Sequence, residues 1–175
     1  MKLRFELPSE KHKELVLKYR QKFLDSGDSI DGSAGLSAAK TYEEWLAHNI
    51  LNRDIATVES GLVPAKTFLV FNSEKSDELI GMIDIRSDLN DYLLKFGGNI
   101  GYSVSPEFRC MGYATSMLKK ACKWCRDNKM KRVLVTCDQN NIASIKVIEK
   151  NRGILEDIIQ NSGHYTMRYW IDVDQ

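Results

Sequence analysis

The turn at residues 109–115, which reads Arg-Cys-Met-Gly-Tyr-Ala-Thr, has the features of an anion-binding site. Alternating apolar residues from Ile100 to Val104 predict a strand before the turn. Apolar residues at every third or fourth position from Tyr113 onward predict a helix after it. A short turn that opens a helix presents unpaired backbone N–H groups, and the helix dipole adds partial positive charge there. Because Gly112 has no side chain to block a close approach, the turn is predicted to bind a phosphate group.

The order of residues in this turn separates it from two common phosphate-binding loops. A P-loop requires Gly-Lys-Ser/Thr at the helix start, and a dinucleotide-binding turn requires three spaced glycines. This turn has one glycine and no lysine after it. The pattern Arg109-x-x-Gly112-x-Ala114, which follows Val-Ser-Pro at 104–106, resembles the turn of the GNAT family of acetyl-CoA-dependent N-acetyltransferases. Without that context, an ordinary strand–turn–helix unit explains the same residues.

A second segment, residues 138–144 (Asp-Gln-Asn-Asn-Ile-Ala-Ser), is similar to the Asn-x-x-Ser sequence after the fifth strand of GNAT proteins. Helix capping explains Asn141 and Ser144 equally well from the residues alone, and the resemblance adds a contact with coenzyme A. The resemblance covers nearly the whole chain, and it implies acetyl-CoA as cosubstrate and no metal ion. The residues that it implies for binding acetyl-CoA are Val104, Arg109, Cys110, Met111, Gly112, Tyr113, Ala114, Thr115, Asn141 and Ser144.

Acetyl transfer to an amine requires a deprotonated amine and a stabilised carbonyl oxygen. The resemblance implies that the backbone N–H of Val104 donates to the thioester oxygen, as in an oxyanion hole. Some GNAT enzymes place a glutamate near the start of the central strand, where this chain has Gly98 within a Gly-Gly-Asn run at 97–99. Asp84 on the preceding strand is therefore the candidate base. A structural role for Asp84, as the partner of Arg86, is the competing interpretation.

The departing thiolate is a separate problem for the mechanism. Many GNAT enzymes carry a tyrosine as general acid in the helix after Asn-x-x-Ser, and the matching position here is Ile148. A thiol with a pKa of about 8.5 can leave as a thiolate without an acid, so this difference is compatible with catalysis. The tyrosines that are candidates to replace the missing one are Tyr102, Tyr113 and Tyr165.

The sequence gives little information about which amine accepts the acetyl group. Residues 85–90 and 97–102 resemble a bacterial GNAT subgroup known mainly as predicted acetyltransferases. The candidate substrate contacts within them are Arg86, Asn90 and Tyr102. Several aspartates would form an acidic rim for a cationic amine, and solvated loop charges explain them equally well. These aspartates are Asp25, Asp28, Asp31, Asp84, Asp88 and Asp91.

The order of the predicted elements indicates an α/β fold of the α+β type. The resemblance implies a mixed, mostly antiparallel central sheet that is flanked by helices and splayed between the fourth and fifth strands. Residues 25–40 have no apolar period and predict a mobile loop that contacts substrate. The predicted strands are residues 3–7, 67–72, 79–86, 100–104, 132–137, 154–160 and 164–173. The predicted helices begin after Ser9, Thr41, Gly112 and Asn141.

Length and composition set the class of protein. At 175 residues and 43% hydrophobic content, the chain is expected to form one domain, residues 1–175. A net charge of +1 gives no general attraction to nucleic acid or to a membrane, and no apolar run reaches about 20 residues. The charged N-terminus lacks a signal-peptide core, so a cytoplasmic protein with free cysteines is expected. Homodimers are common in the resembled family.

The residues and the resemblance together favour transfer of an acetyl group from acetyl-CoA to a primary amine of a small molecule or peptide, by direct attack in a ternary complex. A non-catalytic sensor that binds acyl-CoA on the same fold is the first alternative. A nucleotide-binding module unrelated to coenzyme A is the second.

Overall fold

The computed structural model describes residues 2–74, 78–161 and 163–174. This part of the chain contains seven strands and four α-helices, in the order β-α-α-β-β-β-α-β-α-β-β. The strands are β1 (Leu3–Glu6), β2 (Ala65–Asn72), β3 (Leu79–Arg86), β4 (Ile100–Val104), β5 (Arg132–Asp138), β6 (Ile154–Asn161) and β7 (His164–Asp172). The helices are α1 (Lys13–Ser26), α2 (Tyr42–Leu51), α3 (Tyr113–Asp127) and α4 (Ile142–Lys150), with short 3₁₀ turns at Glu10–His12 and Pro106–Phe108 and a π-helix at Leu93–Gly97.

The strands form two sheets, in the orders β1-β2-β3-β4 and β5-β7-β6, and every neighbouring pair is antiparallel. The two sheets meet where the Asn99 N–H donates to the Leu134 carbonyl at 2.7 Å and the Leu134 N–H donates to Asn99 Oδ1 at 2.8 Å. Within the described residues no ladder continues from this point between β4 and β5. This confirms the predicted splay, and a single pair of residues joins the two sheets.

Two apolar clusters cover opposite faces of the first sheet. One packs α3, α4 and the second sheet against one face, and the other packs α1 and α2 against the opposite face. Along β2, Phe68 and Val70 belong to the first cluster, whereas Leu69 and Phe71 belong to the second. A strand that is buried on both faces has no reason to alternate with polar residues, which explains its continuous apolar run.

The mobile loop predicted at residues 25–40 begins later in the structure, because α1 continues to Ser26, and residues 28–40 are tied to the core. Ile30 and Leu36 are buried beside α1 and α2, and the Trp45 indole N–H donates to the Ser33 carbonyl at 2.7 Å. Thr41 caps α2 as predicted, because its Oγ1 accepts the Glu44 N–H at 3.1 Å.

Several local features of the structure were not predicted from the sequence. The connection before β4 contains the π-helix Leu93–Gly97, which the sequence pattern did not indicate. Ile50 on α2 and Ile142 at the start of α4 are exposed, although both are large apolar side chains. Of the helices in the described residues, none combines the length and apolar character needed to cross a membrane.

Candidate active site

A cleft of about 1260 Å³ opens where β4 and β5 diverge. Its walls are the end of β4, the end of β5, the first two turns of α4, the turn at 109–115 and the loop at 28–32. The cleft exists because the two strands bond to each other only at Asn99 and Leu134. Beyond that point their facing edges carry backbone groups without a neighbouring strand.

The hydrogen-bond pattern of β4 shows which of its backbone groups face the cleft. The Ser105 N–H donates to the Ile80 carbonyl at 2.9 Å, so Ser105 bonds to the β3 side. In an antiparallel ladder, alternate residues bond to the same neighbour, so Ser103 and Gly101 also face β3. The N–H of Val104 therefore points from the opposite edge into the cleft. This is the orientation that the predicted oxyanion donor requires.

The turn before α3 presents free backbone donors. No described residue accepts a hydrogen bond from the N–H groups of residues 110–115, and the Ser116 N–H is the next that is bonded, to the Gly112 carbonyl at 3.1 Å. Gly112 has a φ of 81°, in the left-handed region that favours glycine, and a Cβ built on it would meet no atom within 4 Å. The space in front of Gly112 is thus open, and the free N–H groups of the turn fit a diphosphate.

The side chains of this turn have other partners. The Arg109 guanidinium donates to Asp28 Oδ2 at 2.7 Å and to the Val104 carbonyl at 3.3 Å, so it braces the loop against β4. The hydrogen bond from Arg109 holds the pKa of Asp28 below its usual range. The Tyr113 hydroxyl accepts from Asn72 Nδ2 at 3.3 Å, away from the cleft. Any contact of this turn with a phosphate is therefore made mainly by the backbone.

The start of α4 forms the opposite wall. Asn141 Oδ1 accepts the Ser144 N–H at 3.0 Å, which is the predicted cap. The Ser144 hydroxyl lies 2.8 Å from the Tyr102 hydroxyl, so the two side chains bridge from α4 to β4. Burial raises the pKa of the Tyr102 hydroxyl well above its usual value, so this group stays neutral at physiological pH.

Nine of the ten residues predicted to bind acetyl-CoA line this cleft, and Met111 does not. Met111 is exposed on the surface of the turn. Two residues that the sequence did not suggest, Lys146 and Lys150, also line the cleft. They lie four residues apart on one side of α4, which is the signal that could have identified them.

The alternation of side chains divides the cleft into two halves. Tyr102 and Val104 belong to the cluster that packs against α3 and α4, and this defines the inner face of the sheets. Cys137 on β5 also belongs to the inner face. Ser103 points the other way, because the Tyr19 hydroxyl of α1 donates to Ser103 Oγ at 3.1 Å. We call this opposite side the outer face.

The outer face holds groups that the sequence did not bring together. Thr136 and Asp138 on β5 alternate with the inner-face residues, and Thr166 is the β7 partner of Asp138. His164 Nδ1 lies 3.8 Å from Asp138 Oδ2 at the rim of the cleft. His164 and Asp138 are far apart in the sequence, and only the register of β7 on β5 brings them together.

Asp84, the predicted base, lies away from the cleft. It is 2% exposed, accepts from Thr67 Oγ1 at 2.9 Å and pairs with Arg86 Nε at 3.1 Å. Arg86 reaches the cleft, and its Nη1 donates to the carbonyls of Gly97 and Gly98 at 3.0 and 3.2 Å. The ion pair therefore fixes the backbone that leads into β4.

The other predicted substrate contacts have different positions. Asn90 does not line the cleft: its Nδ2 donates to the Gly61 carbonyl at 2.9 Å and its Oδ1 accepts the Leu93 N–H at 2.9 Å. Asn90 thus accepts the N–H of the first residue of the π-helix. Tyr102 lines the cleft on its inner face.

The two positions at which this chain departs from the GNAT pattern have a structural explanation. A Cβ on Gly98 would lie 2.6 Å from the Leu134 carbonyl, at the point where the two sheets meet. No larger side chain fits at Gly98 without separating the sheets. Ile148 is fully buried in the inner core and packs against Gly153. Neither position can supply a catalytic side chain.

The model of the acetyltransferase (GNAT) family matches residues 36–154 of the chain. No match is found among the curated proteins. The matched residues include the free turn, the edge of β4 and the start of α4.

Several solved structures have the same fold. A ribosomal L7/L12 α-N-protein acetyltransferase in complex with coenzyme A is 21% identical, with a TM-score of 0.68 over 98% of this chain and 94% of that one. A ribosomal-protein-S5-alanine acetyltransferase from Vibrio fischeri is 14% identical, with a TM-score of 0.73 over 99% and 94%. A spermidine N-acetyltransferase chimera from Vibrio cholerae and hSSAT is 14% identical, with a TM-score of 0.68 over 99% and 97%.

Proposed function

Because the chain belongs to the acetyltransferase (GNAT) family and is an acetyl-CoA-dependent N-acetyltransferase, we propose that it transfers the acetyl group to a primary amine of a small molecule or peptide. The reaction proceeds by direct attack in a ternary complex. The observation that carries this proposal is the free turn at 110–115 beside the unpaired edge of β4. The proposal treats residues 1–175 as one acetyltransferase domain.

The two faces of the cleft have different tasks in this reaction. The turn at 110–115, Asn141 and Ser144 hold acetyl-CoA from the inner face, and the acceptor amine approaches from the outer face. The amine nitrogen bonds to the carbonyl carbon in the gap between β4 and β5. The Val104 N–H donates to the carbonyl oxygen as it gains charge, an interaction whose loss typically costs about 3 kcal/mol of barrier. The carbon–sulfur bond then breaks on the inner face.

Proton transfer follows the same division. On the outer face, Asp31 and the Asp138–His164 pair line the cleft and are placed to accept the proton that the ammonium loses. On the inner face, Tyr102 and Ser144 carry two hydroxyl hydrogens and share one hydrogen bond. Ser144 is also hydrogen-bonded to Cys137. When the Cys137 thiol donates to Ser144 and Ser144 donates to Tyr102, the Tyr102 hydrogen remains for the departing sulfur. Tyr102 then takes the place of the tyrosine that is absent at Ile148.

Ligand binding and turnover test the proposal directly. Acetyl-CoA and CoA are expected to raise the melting temperature, by a shift that corresponds to about 2.7 kcal/mol at 100 times the Kd, whereas ATP and NAD are not. A panel of primary amines should release the free thiol of CoA. Stronger stabilisation by ATP or NAD than by acetyl-CoA would contradict the proposal.

A non-catalytic acyl-CoA sensor is the second candidate function. The observation that favours it is that Gly98 and Ile148 supply no acid or base at the family positions. Stabilisation by acetyl-CoA without thiol release for any amine would support the sensor. Four free cysteines suit a reducing compartment, so we also propose a cytoplasmic location.

The Tyr102→Phe variant tests the role of the inner hydroxyl pair. We expect kcat to fall about 10–100-fold, because a hydrogen bond to the charged sulfur is lost, while KM for acetyl-CoA changes little. Tyr113→Phe is the matched control, since it removes a hydroxyl that bonds to Asn72 in the core. Steady-state kinetics measure both. An unchanged kcat in Tyr102→Phe would remove Tyr102 from the mechanism.

A further inference from the structure

An aromatic wall closes one side of the outer half of the cleft. Tyr92 and Phe96 line the cleft with ring centroids 5.7 Å apart, and Leu93 lines it between them. Tyr92 is 64% exposed although it is a large aromatic side chain. An exposed ring at the mouth of a cleft offers contact area to an apolar ligand at little entropic cost.

The wall is fixed from behind. Phe96 lies in the π-helix Leu93–Gly97, and single-turn π-helices are frequent at functional sites. Three side chains from three different strands donate to backbone carbonyls of this short helix and hold it in place. The donors are Arg86 Nη1, Thr136 Oγ1 and Arg168 Nε, and their acceptors are the carbonyls of Gly97 (3.0 Å), Phe96 (2.7 Å) and Leu94 (3.0 Å).

The loop at 28–32 supplies charge to the same half of the cleft. Asp28 is neutralised by its ion pair with Arg109, with Nη1 2.7 Å from Oδ2. Asp31 lines the cleft, and among the described residues its hydrogen-bond partner is the Ser29 hydroxyl at 3.3 Å. Gly32 packs so closely on Gly101 that a Cβ would overlap the Gly101 carbonyl, which holds this loop against β4. Within the described residues Asp31 has no lysine or arginine partner, so its carboxylate is placed to pair with the ammonium group of an acceptor.

From these features we propose that the acceptor is a monoamine whose nitrogen is carried on a ring-sized apolar group, either an arylalkylamine or the N-terminus of a peptide that begins with an aromatic residue. The ammonium faces Asp31, and the apolar group packs on Tyr92 and Phe96. This inference rests on the proposed acetyl transfer and specifies its substrate class. Spermidine and peptides that begin with glycine are expected to be poor acceptors. Neither has a ring-sized apolar group that packs on Tyr92 and Phe96, so both rings would stay hydrated.

Matched amines test the inference through kcat/KM, measured by release of the CoA thiol. 2-Phenylethylamine should exceed ethylamine, and phenylalanyl-glycine amide should exceed glycyl-glycine amide, each by about 10–100-fold. The two pairs distinguish a small-molecule source from a peptide source. Tyr92→Ser should abolish most of this preference while KM for acetyl-CoA and the ethylamine rate stay unchanged. Tyr165→Ser is the control, since Tyr165 is an exposed tyrosine on β7 outside the cleft lining.

The outcomes separate this inference from the function on which it rests. If spermidine or the glycine peptide is acetylated best, or if Tyr92→Ser keeps the preference, the substrate class is wrong and acetyl transfer stands. If no amine releases thiol, acetyl transfer fails, and a thermal shift with the CoA complex still decides the substrate class. In that assay, 2-phenylethylamine should stabilise the wild type and leave Tyr92→Ser unchanged, and equal shifts for both would overturn the inference.

Discussion

The Gly112→Glu variant should lose all thermal stabilisation by acetyl-CoA. The wild type at 100 times the Kd gains about 2.7 kcal/mol, which corresponds to a rise of about 5–11 °C for a chain of this size. A carboxylate on Gly112 would stand in the open space in front of the free N–H groups of residues 110–115, where it excludes and repels a diphosphate. Differential scanning fluorimetry with and without acetyl-CoA measures the loss.

The strain of the substitution itself needs a matched control. Gly112 has a φ of 81°, so any side chain there costs about 1–2 kcal/mol of stability. Gly61 has a φ of 87°, also has no atom within 4 Å of a built Cβ, and does not line the cleft. Gly61→Glu should therefore lose similar stability but keep the acetyl-CoA shift. Normal acetyl-CoA binding by Gly112→Glu would show that the turn is not the diphosphate site.

The inner half of the cleft was predictable because its parts are local in the sequence. The change from alternation to a helical period around Gly112 marks the end of β4 and the start of α3 within a few residues. Asn141 caps α4 through the N–H of Ser144, and capping acts over three residues. Local physics therefore places the turn, the edge of β4 and the start of α4, and only their mutual distance depends on the fold.

The outer half was not predictable, because it depends on contacts between distant segments. The register of β7 on β5 brings His164 to Asp138. The π-helix Leu93–Gly97, which contains Phe96 and follows Tyr92, has no apolar period of its own, and side chains from three strands donate to its carbonyls. A sequence pattern reports neither kind of contact.

Asp84 had two interpretations in the sequence, a candidate base and a structural partner of Arg86. The structure contains the predicted pairing with Arg86. In the structure Asp84 faces Thr67 and Arg86 inside the sheet. Alternation along a strand shows which face a side chain is on, but it does not show which strand lies beside it. The position of β2 next to β3, which brings Thr67 to Asp84, is set by the strand order of the whole sheet.

The Asp84→Asn variant should lose stability and keep its chemistry. Removal of one partner from a buried ion pair leaves the other charge uncompensated, and we expect a loss of about 3 kcal/mol in the free energy of unfolding. This loss corresponds to a fall of about 6–12 °C in melting temperature. Below the transition, kcat should stay within about threefold of the wild type, because Asp84 does not line the cleft.

Asp88→Asn is the matched control, since Asp88 is exposed and its hydrogen bond is a 3.5 Å contact from the Ser87 hydroxyl. It should change stability by less than about 0.5 kcal/mol. Urea denaturation and steady-state kinetics of both variants complete the test. The opposite result, normal stability with a fall in kcat of about 10²–10⁴-fold, is what removal of a general base produces. Because Asp84 alternates with the inner-face residues Ile83 and Ile85, that result would keep the amine on the outer side of the sheet. It would make Asp84 the base in place of Asp31 and the Asp138–His164 pair.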